Sequence, residues 1–437
     1  MVQTAAAPSL VREIRKWDLV ALGVNVVVGA GIFGLPSRIY NLSGSASLIA
    51  YAVCAAATAL VVLCFSEVGS RFSDTGGPYL YARKAFGPVV GFEIGWLRWL
   101  SGALAVAANS NLFADYFSFI FPFLGTRPGR AVIITAVILS VAAVNVVGVR
   151  DAAITSNILV LGKLTPLFLF ILVGLFFLNP NRLAMTGRPS YAGFTGSVVL
   201  LAYAFGGFDA LTVPAGEARD STRTVPFALL ATIGVVTLLY VLIQIVCIGT
   251  LPDLGSSTRP LADASNSFIG ATGGYIISAA AVVSITGNVN GQMLATSRTI
   301  FAMAEQKQLP GKLAVIHRRF HTPFISVLCS ATVMLALALS GTFVQLLTLS
   351  VITRLIFYVT TCAALPVFRR DSSVPNAAFK IPAGLPIATL SVAICFWLLS
   401  NTTSRDGWIT MIAAAVGLII HLLYRITTRP AASVDPF

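Results

Sequence analysis

The chain has 437 residues, of which 57% are hydrophobic and 10% charged, and its formal net charge is +13. Soluble domains carry about 25% charged residues, and no single water-soluble core of this length hides so much apolar surface. An ordinary soluble globular protein is excluded, and the bilayer is the natural solvent.

A membrane-spanning helix needs about 20 mostly apolar residues, and about twelve stretches reach that length. They lie near residues 18–40, 45–67, 86–117, 131–149, 155–178, 195–213, 226–250, 272–303, 323–341, 344–367, 383–400 and 407–425. Alternating apolar–polar strands are absent, which argues against an outer-membrane barrel. The expected fold is therefore an all-α membrane protein, read as one polytopic domain over residues 1–437. The apolar stretch after Lys16 is too long, and too interrupted by Gly and Pro, for a cleavable signal peptide.

The positive charge reads as topology rather than as nucleic-acid binding. With the N-terminus inside, cytoplasmic segments hold about eighteen Lys/Arg and external ones about seven, a positive-inside asymmetry. The basic ends include Arg12, Arg15 and Lys16; Arg83 and Lys84; Lys307, Lys312, Arg318 and Arg319; and Arg369 and Arg370. Both termini are then expected in the cytoplasm, and the protein in the cell membrane among its lipids. The six cysteines (Cys54, Cys64, Cys247, Cys329, Cys362, Cys395) fall inside apolar stretches without a CxxC pair and read as small buried hydrophobes. The histidines His317, His321 and His421 form no metal cluster and no triad with a serine. No cofactor is expected.

Two segments stand out. Gly29-Ala30-Gly31-Ile32-Phe33-Gly34-Leu35-Pro36 interrupts the first apolar stretch, and Phe205-Gly206-Gly207-Phe208-Asp209, followed by Pro214, interrupts the sixth. These are matching positions in two successive sets of five, a pattern that points to a transporter binding site. A helix broken in mid-membrane exposes N–H groups on one side of the break and C=O groups on the other, tolerated only where they line a cavity or meet a ligand. The donors suit a carboxylate and the carbonyls suit an ammonium. A zwitterionic amino acid presents both.

Ionisable residues inside a span are costly and mark function by default. Lys163 lies deep in the fifth stretch, about a dozen residues from Arg150, roughly 18 Å along a helix. That distance disfavours snorkelling to the interface. Desolvation disfavours the charged form of a buried lysine, so such a group exchanges its proton readily. Asp209 is either a second protonatable group or a cap on the half-helix after the break. Glu67, Glu93, Arg98 and Arg354 are expected to form structural ion pairs.

These residues resemble the amino acid–polyamine–organocation superfamily, which has the leucine-transporter fold. The resemblance rests on Gly29-Ala30-Gly31-Ile32-Phe33 and on Gly76-Gly77-Pro78-Tyr79-Leu80-Tyr81 followed by Ala85-Phe86-Gly87-Pro88. It also rests on Phe205-Gly206-Gly207-Phe208-Asp209 followed by Glu217 and Thr224-Val225-Pro226. It implies inverted repeats, about 17–178 and 193–367, two extra helices within about 383–425, and alternating access about a midplane site. It also implies that amides of Gly29, Ala30 and Gly31 bind the substrate carboxylate. Carbonyls of Val27, Tyr203 and Gly206 would bind its amine, with Tyr203 and Phe205 as aromatic lids. By the same resemblance Lys163 stands where sodium-dependent relatives hold Na⁺. There it would meet carbonyls near Asn25 and Val28 and a hydroxyl of Ser284 or Thr286, making protons the coupling ion.

Side-chain selectivity is expected from Ala103, Ala107, Asn111, Phe208, Asn290 and Thr348, with Asp209 nearby. The alanine-rich third stretch suggests a neutral amino acid, with cationic ones next. An amino acid exchanger or an amine or polyamine carrier is the alternative, and a non-transporting sensor a more distant one. A channel would need a continuous pore lined by like groups, and a membrane enzyme a cluster of catalytic residues.

Overall fold

The computed structural model describes residues 14–74, 76–147, 152–185 and 187–427. Of the basic residues that frame the predicted topology, Arg12 and Arg150 lie outside the described residues. The described residues are mostly helical, and the β-type pairing among them is an isolated bridge between Ile14 and Ala218.

The helices in chain order are α1 (Lys16–Val27), α2 (Ala30–Ser43), α3 (Ser47–Gly69), α4 (Pro78–Phe86), α5 (Pro88–Ile120), α6 (Arg127–Val147), α7 (Ala152–Gly174) and α8 (Pro180–Leu183). They continue with α9 (Tyr191–Ala204), α10 (Ser221–Thr250), α11 (Pro260–Ile269), α12 (Ala271–Glu305), α13 (Phe324–Ser340), α14 (Phe343–Arg370), α15 (Gly384–Ser400) and α16 (Ser404–Thr427). Eight helical stretches among the described residues are long and apolar enough to cross a bilayer, and three shorter apolar helices accompany them. Val132, Leu139, Phe168, Leu238, Phe396 and Ile412 are exposed on the outside of the bundle. A surface this apolar requires lipid around it. Cys329, expected to be buried, is exposed on the same kind of surface.

Local chemistry sets the boundaries. The stretch expected near 86–117 is one continuous helix, α5, set off from α4 by Gly87, whose φ of 90° turns the chain before Pro88 opens the helix. A proline suits a first helical turn because its missing N–H would be unpaired there anyway. α5 runs through the middle of the bundle and packs along α12 and α14. α1 packs on α7, α10 and α12, while α2 packs on α9 and α11.

Two of the apolar segments are discontinuous at their centres. α1 ends at Val27 and α2 starts at Ala30. α9 ends at Ala204 and gives way to a 3₁₀ segment, Phe208–Glu217, of 10 residues. Gly207 makes that change possible with a φ of 102°, in the left-handed region that a side chain disfavours. Runs of 3₁₀ helix beyond 3–4 residues are uncommon and often mark a hinge.

Candidate functional site

The end of any helix leaves its last four carbonyls without intrahelical donors. At the end of α1 these are the carbonyls of Asn25, Val26, Val27 and Val28, and side chains from three other helices meet them all. Lys163 of α7 donates through Nζ to Asn25 O at 2.9 Å and to Val28 O at 2.9 Å. Ser284 of α12 adds a hydroxyl to Val28 O at 3.3 Å. Asn288 of α12 donates its amide to Val26 O. Tyr240 of α10 donates to Val27 O at 3.0 Å and to Ala204 O, across the second break, at 3.2 Å. Lys163 is fully buried. Its ammonium is held by carbonyl dipoles in place of an acidic partner.

On the other side of the first break, α2 begins with no side-chain cap. The residues at that end, Gly29, Ala30 and Gly31, border the central pocket, and that end of the helix carries partial positive charge. At the second break, Tyr203 O accepts from Gly206 N at 3.0 Å. Tyr203 also starts a polar relay: its hydroxyl donates to Asn109, Asn109 donates to Asn288, and Asn288 donates to Val26 O.

Both breaks line one central pocket, together with Asn109, Asn288, Gln292 and Arg354. Its free space is ≈ 10 Å³, about the room of one water, so the site is closed around its own side chains. Much of that closure comes from Arg354, whose side chain crosses from α14 to lie against Gly206. A Cβ at position 206 would collide with the guanidinium. The guanidinium carbon lies 5.9 Å from the centre of the Tyr203 ring.

The pocket has unequal surroundings. On one side an open vestibule of ≈ 890 Å³ is lined by Arg38, Asn111, Asp115, Arg130, Arg259 and Phe343, among others. Phe343 packs edge-on against Tyr203 with ring centres 6.5 Å apart, so an aromatic pair separates vestibule from pocket. On the opposite side Arg98 Nη2 stands 3.2 Å from Asp209 Oδ2, and Tyr358 donates to Asp209 Oδ1 at 3.3 Å. Below them Phe208 stacks on Tyr358 with ring centres 4.9 Å apart. Farther along, Glu67 is held by Arg369 at 2.6 Å and 2.7 Å, by Arg71 at 3.4 Å, and by the amide of Ile381 at 2.9 Å.

The residues expected from sequence divide by helical phase. On α5 the pocket is lined by Ala105 and Asn109, four residues apart on one face. Ala103, Ala107 and Asn111 sit two positions off, about 200° around the helix. Asn111 instead bonds to Ala338 O at 2.9 Å and faces the vestibule. On α12, Ser284 and Asn288 share a face with Gln292, whereas Thr286 and Asn290 point the other way. Thr286 donates to Val282 O of its own helix at 2.8 Å, and Asn290 accepts from Asn145 of α6 at 2.8 Å. Thr348 likewise bonds within its own helix, to Val344 O at 2.9 Å. Phe205 packs on Tyr240 rather than over the pocket, with ring centres 5.3 Å apart. Asp209 is held off the pocket by Arg98. Among the four expected ion-pairing residues, Glu67 and Arg98 have partners within 4.0 Å. Arg354 and Glu93 have none among the described residues. The polar pocket residues that sequence reasoning passed over are Asn109, Asn288 and Gln292; Arg354 was expected only as half of an ion pair, and Tyr240, which ties the two breaks together, was not expected at all. The available signal was the four-residue spacing of Ser284, Asn288 and Gln292.

Comparison with known proteins agrees with this architecture. The profile of the amino acid permease family matches residues 14–421. The chain belongs to that family. It is therefore a multi-pass membrane transporter and not an enzyme. It is similar to the methylthioribose transporter of Bacillus subtilis, 27% identical with 95% of this chain and 94% of that protein covered. It is also similar to the serine/threonine exchanger SteT of the same organism, 26% identical with 97% and 98% covered. A third relative, the branched-chain amino acid permease BcaP of B. subtilis, is 26% identical with 96% and 94% covered.

Proposed function

We propose that the chain is a secondary active transporter that moves amino acids across the cell membrane by alternating access, coupled to protons and independent of sodium. In this reading residues about 17–178 and 193–367 are two inverted halves, and both termini are cytoplasmic. The substrate head group lies between the breaks. The amides of Gly29, Ala30 and Gly31 receive its carboxylate, and carbonyls near Gly206 receive its amine.

The observation that carries the coupling is the seat of Lys163. Its Nζ ties together Asn25 O and Val28 O, which bracket the unwound turn. A charged ammonium holds that turn through strong, charge-assisted bonds. A neutral amine holds it more weakly, so proton loss at this atom loosens α1 from α7 and α12. No mobile cation is then needed at the same place.

Uptake by the purified protein in sealed liposomes tests this. The expected result is accumulation driven by an inward proton gradient and unchanged when Na⁺ is replaced by choline. Strict Na⁺ dependence would overturn the assignment. The similarity to SteT favours one second reading, obligatory exchange, in which uptake occurs only into vesicles preloaded with an amino acid.

A further inference from the structure

Building on the transporter reading, we infer that Arg354 is a specificity residue for an anionic side chain, so that the preferred cargo is an acidic amino acid. This replaces the neutral side chain suggested by the alanine-rich stretch of α5.

The argument begins with a missing partner. Arg354 is 4% exposed and lines the central pocket. Its Nε is buried without a hydrogen bond, and no carboxylate lies within ion-pairing distance among the described residues. A guanidinium stays charged at any physiological pH, and a buried charge without a partner is costly. The surrounding charges do not supply one. Asp209 is engaged by Arg98 at 3.2 Å, and Lys163 is met by carbonyls. Among the described residues, two buried guanidinium groups, Arg98 and Arg354, thus face one buried carboxylate at the centre of the bundle. The missing charge is one carboxylate, and the pocket is where it can enter.

Placement separates this charge from the substrate's own head group. The uncapped amides belong to the first break, at the start of α2. Arg354 lies at the second break, against Gly206 and Tyr203. Two anion-binding groups on two elements suit a substrate with two carboxylates. Asn109 and Asn288 line the same space but are engaged in the relay from Tyr203 to Val26 O. Gln292 also lines it, has no hydrogen-bond partner among the described residues, and would be left unpaired by an apolar side chain.

The vestibule supports the same sign of charge independently. It is lined by Arg38, Arg130 and Arg259 against Asp115. Arg130 pairs with Asp115, and Arg259 lies 3.9 Å from Asp263. Arg38 has no carboxylate partner among the described residues. A concave entrance with surplus positive charge concentrates anions and speeds their arrival.

The test is counterflow by the full-length protein in liposomes, with labelled glutamate, aspartate, glutamine and leucine at equal concentration. Glutamate or aspartate is expected to exceed glutamine by about tenfold or more. Arg354→Gln is expected to lower acidic uptake by about 10-fold to 100-fold and to bring glutamine level with glutamate, while Arg354→Lys retains part of the preference. Equal or better transport of glutamine or leucine by the unaltered protein overturns the inference and leaves the transporter reading standing. The inference also falls if Arg354→Gln lowers every substrate by one common factor, because that result marks a packing role. Absence of flux for every amino acid overturns both readings. Thermal unfolding of the unaltered protein with and without glutamate gives a readout that needs no variant to fold: a rise with glutamate and none with glutamine is expected, and the reverse overturns the inference.

Discussion

The two helix breaks face the same pocket but are finished differently. At the first, all four orphan carbonyls have side-chain donors, supplied by α7, α10 and α12. At the second, the chain continues as a 3₁₀ segment, and the side chain laid against it is a guanidinium with no carboxylate partner among the described residues. The carbonyl side of the first break is thus internally complete, and what is left for a ligand is its uncapped amide side, at the start of α2, and the guanidinium at the second break.

Four changes sharpen or break the comparison. Lys163→Ala has the largest expected effect, because it removes two charge-assisted bonds from the completed break. Net uptake should fall by about 100-fold or more, with substrate-induced thermal stabilisation retained in part; uptake near the unaltered level would show that the first break does not need its lysine. Gly206→Ala comes next. The new methyl group meets Arg354, and transport should fall by about tenfold. Combined with Arg354→Ser, Gly206→Ala should add little to the loss that Arg354→Ser causes alone, a coupling that a double-mutant cycle reads directly. Tyr240→Phe removes the donor shared by Val27 O and Ala204 O, and is expected to cost about 1–3 kcal/mol of stability, seen as a lower melting temperature in detergent. Thr286→Ala should be the mildest, within about 0.5 kcal/mol and with unchanged transport, because that hydroxyl is spent on Val282 O of its own helix.

How much of this was legible beforehand follows from what each feature depends on. The breaks were visible in Gly29–Gly31 and Gly206–Gly207 because an interrupted helix in lipid needs residues that permit it, and such residues are conspicuous within apolar runs. Lys163 was visible because an ammonium in hydrocarbon demands a reason. The pocket walls were less legible. Asn109 and Asn111, or Asn288 and Asn290, are two residues apart and chemically identical, and the phase of a long, uniformly apolar helix is weakly marked in sequence. Only tertiary packing decides which of each pair faces inward. Arg354 was read as one half of an ion pair, since a buried charge ordinarily has its partner in the same chain. Asp209 looked like a pocket residue from its place after the glycines, but the left-handed turn at Gly207 and the pull of Arg98 carry it to another layer.

The unequal layers on the two sides of the pocket have a kinetic consequence. Between pocket and vestibule stands the Phe343–Tyr203 contact, and a ring can leave such a position by rotamer change, on a timescale of about nanoseconds where it is free to turn. On the other side lie the Arg98–Asp209 pair, the Phe208–Tyr358 stack and the Glu67–Arg369 clasp. Opening that side requires several helices to shift together, a collective motion of about microseconds to milliseconds. The two half-cycles would therefore run at very different speeds, with substrate equilibrating quickly across the thin side and turnover paced by the thick one.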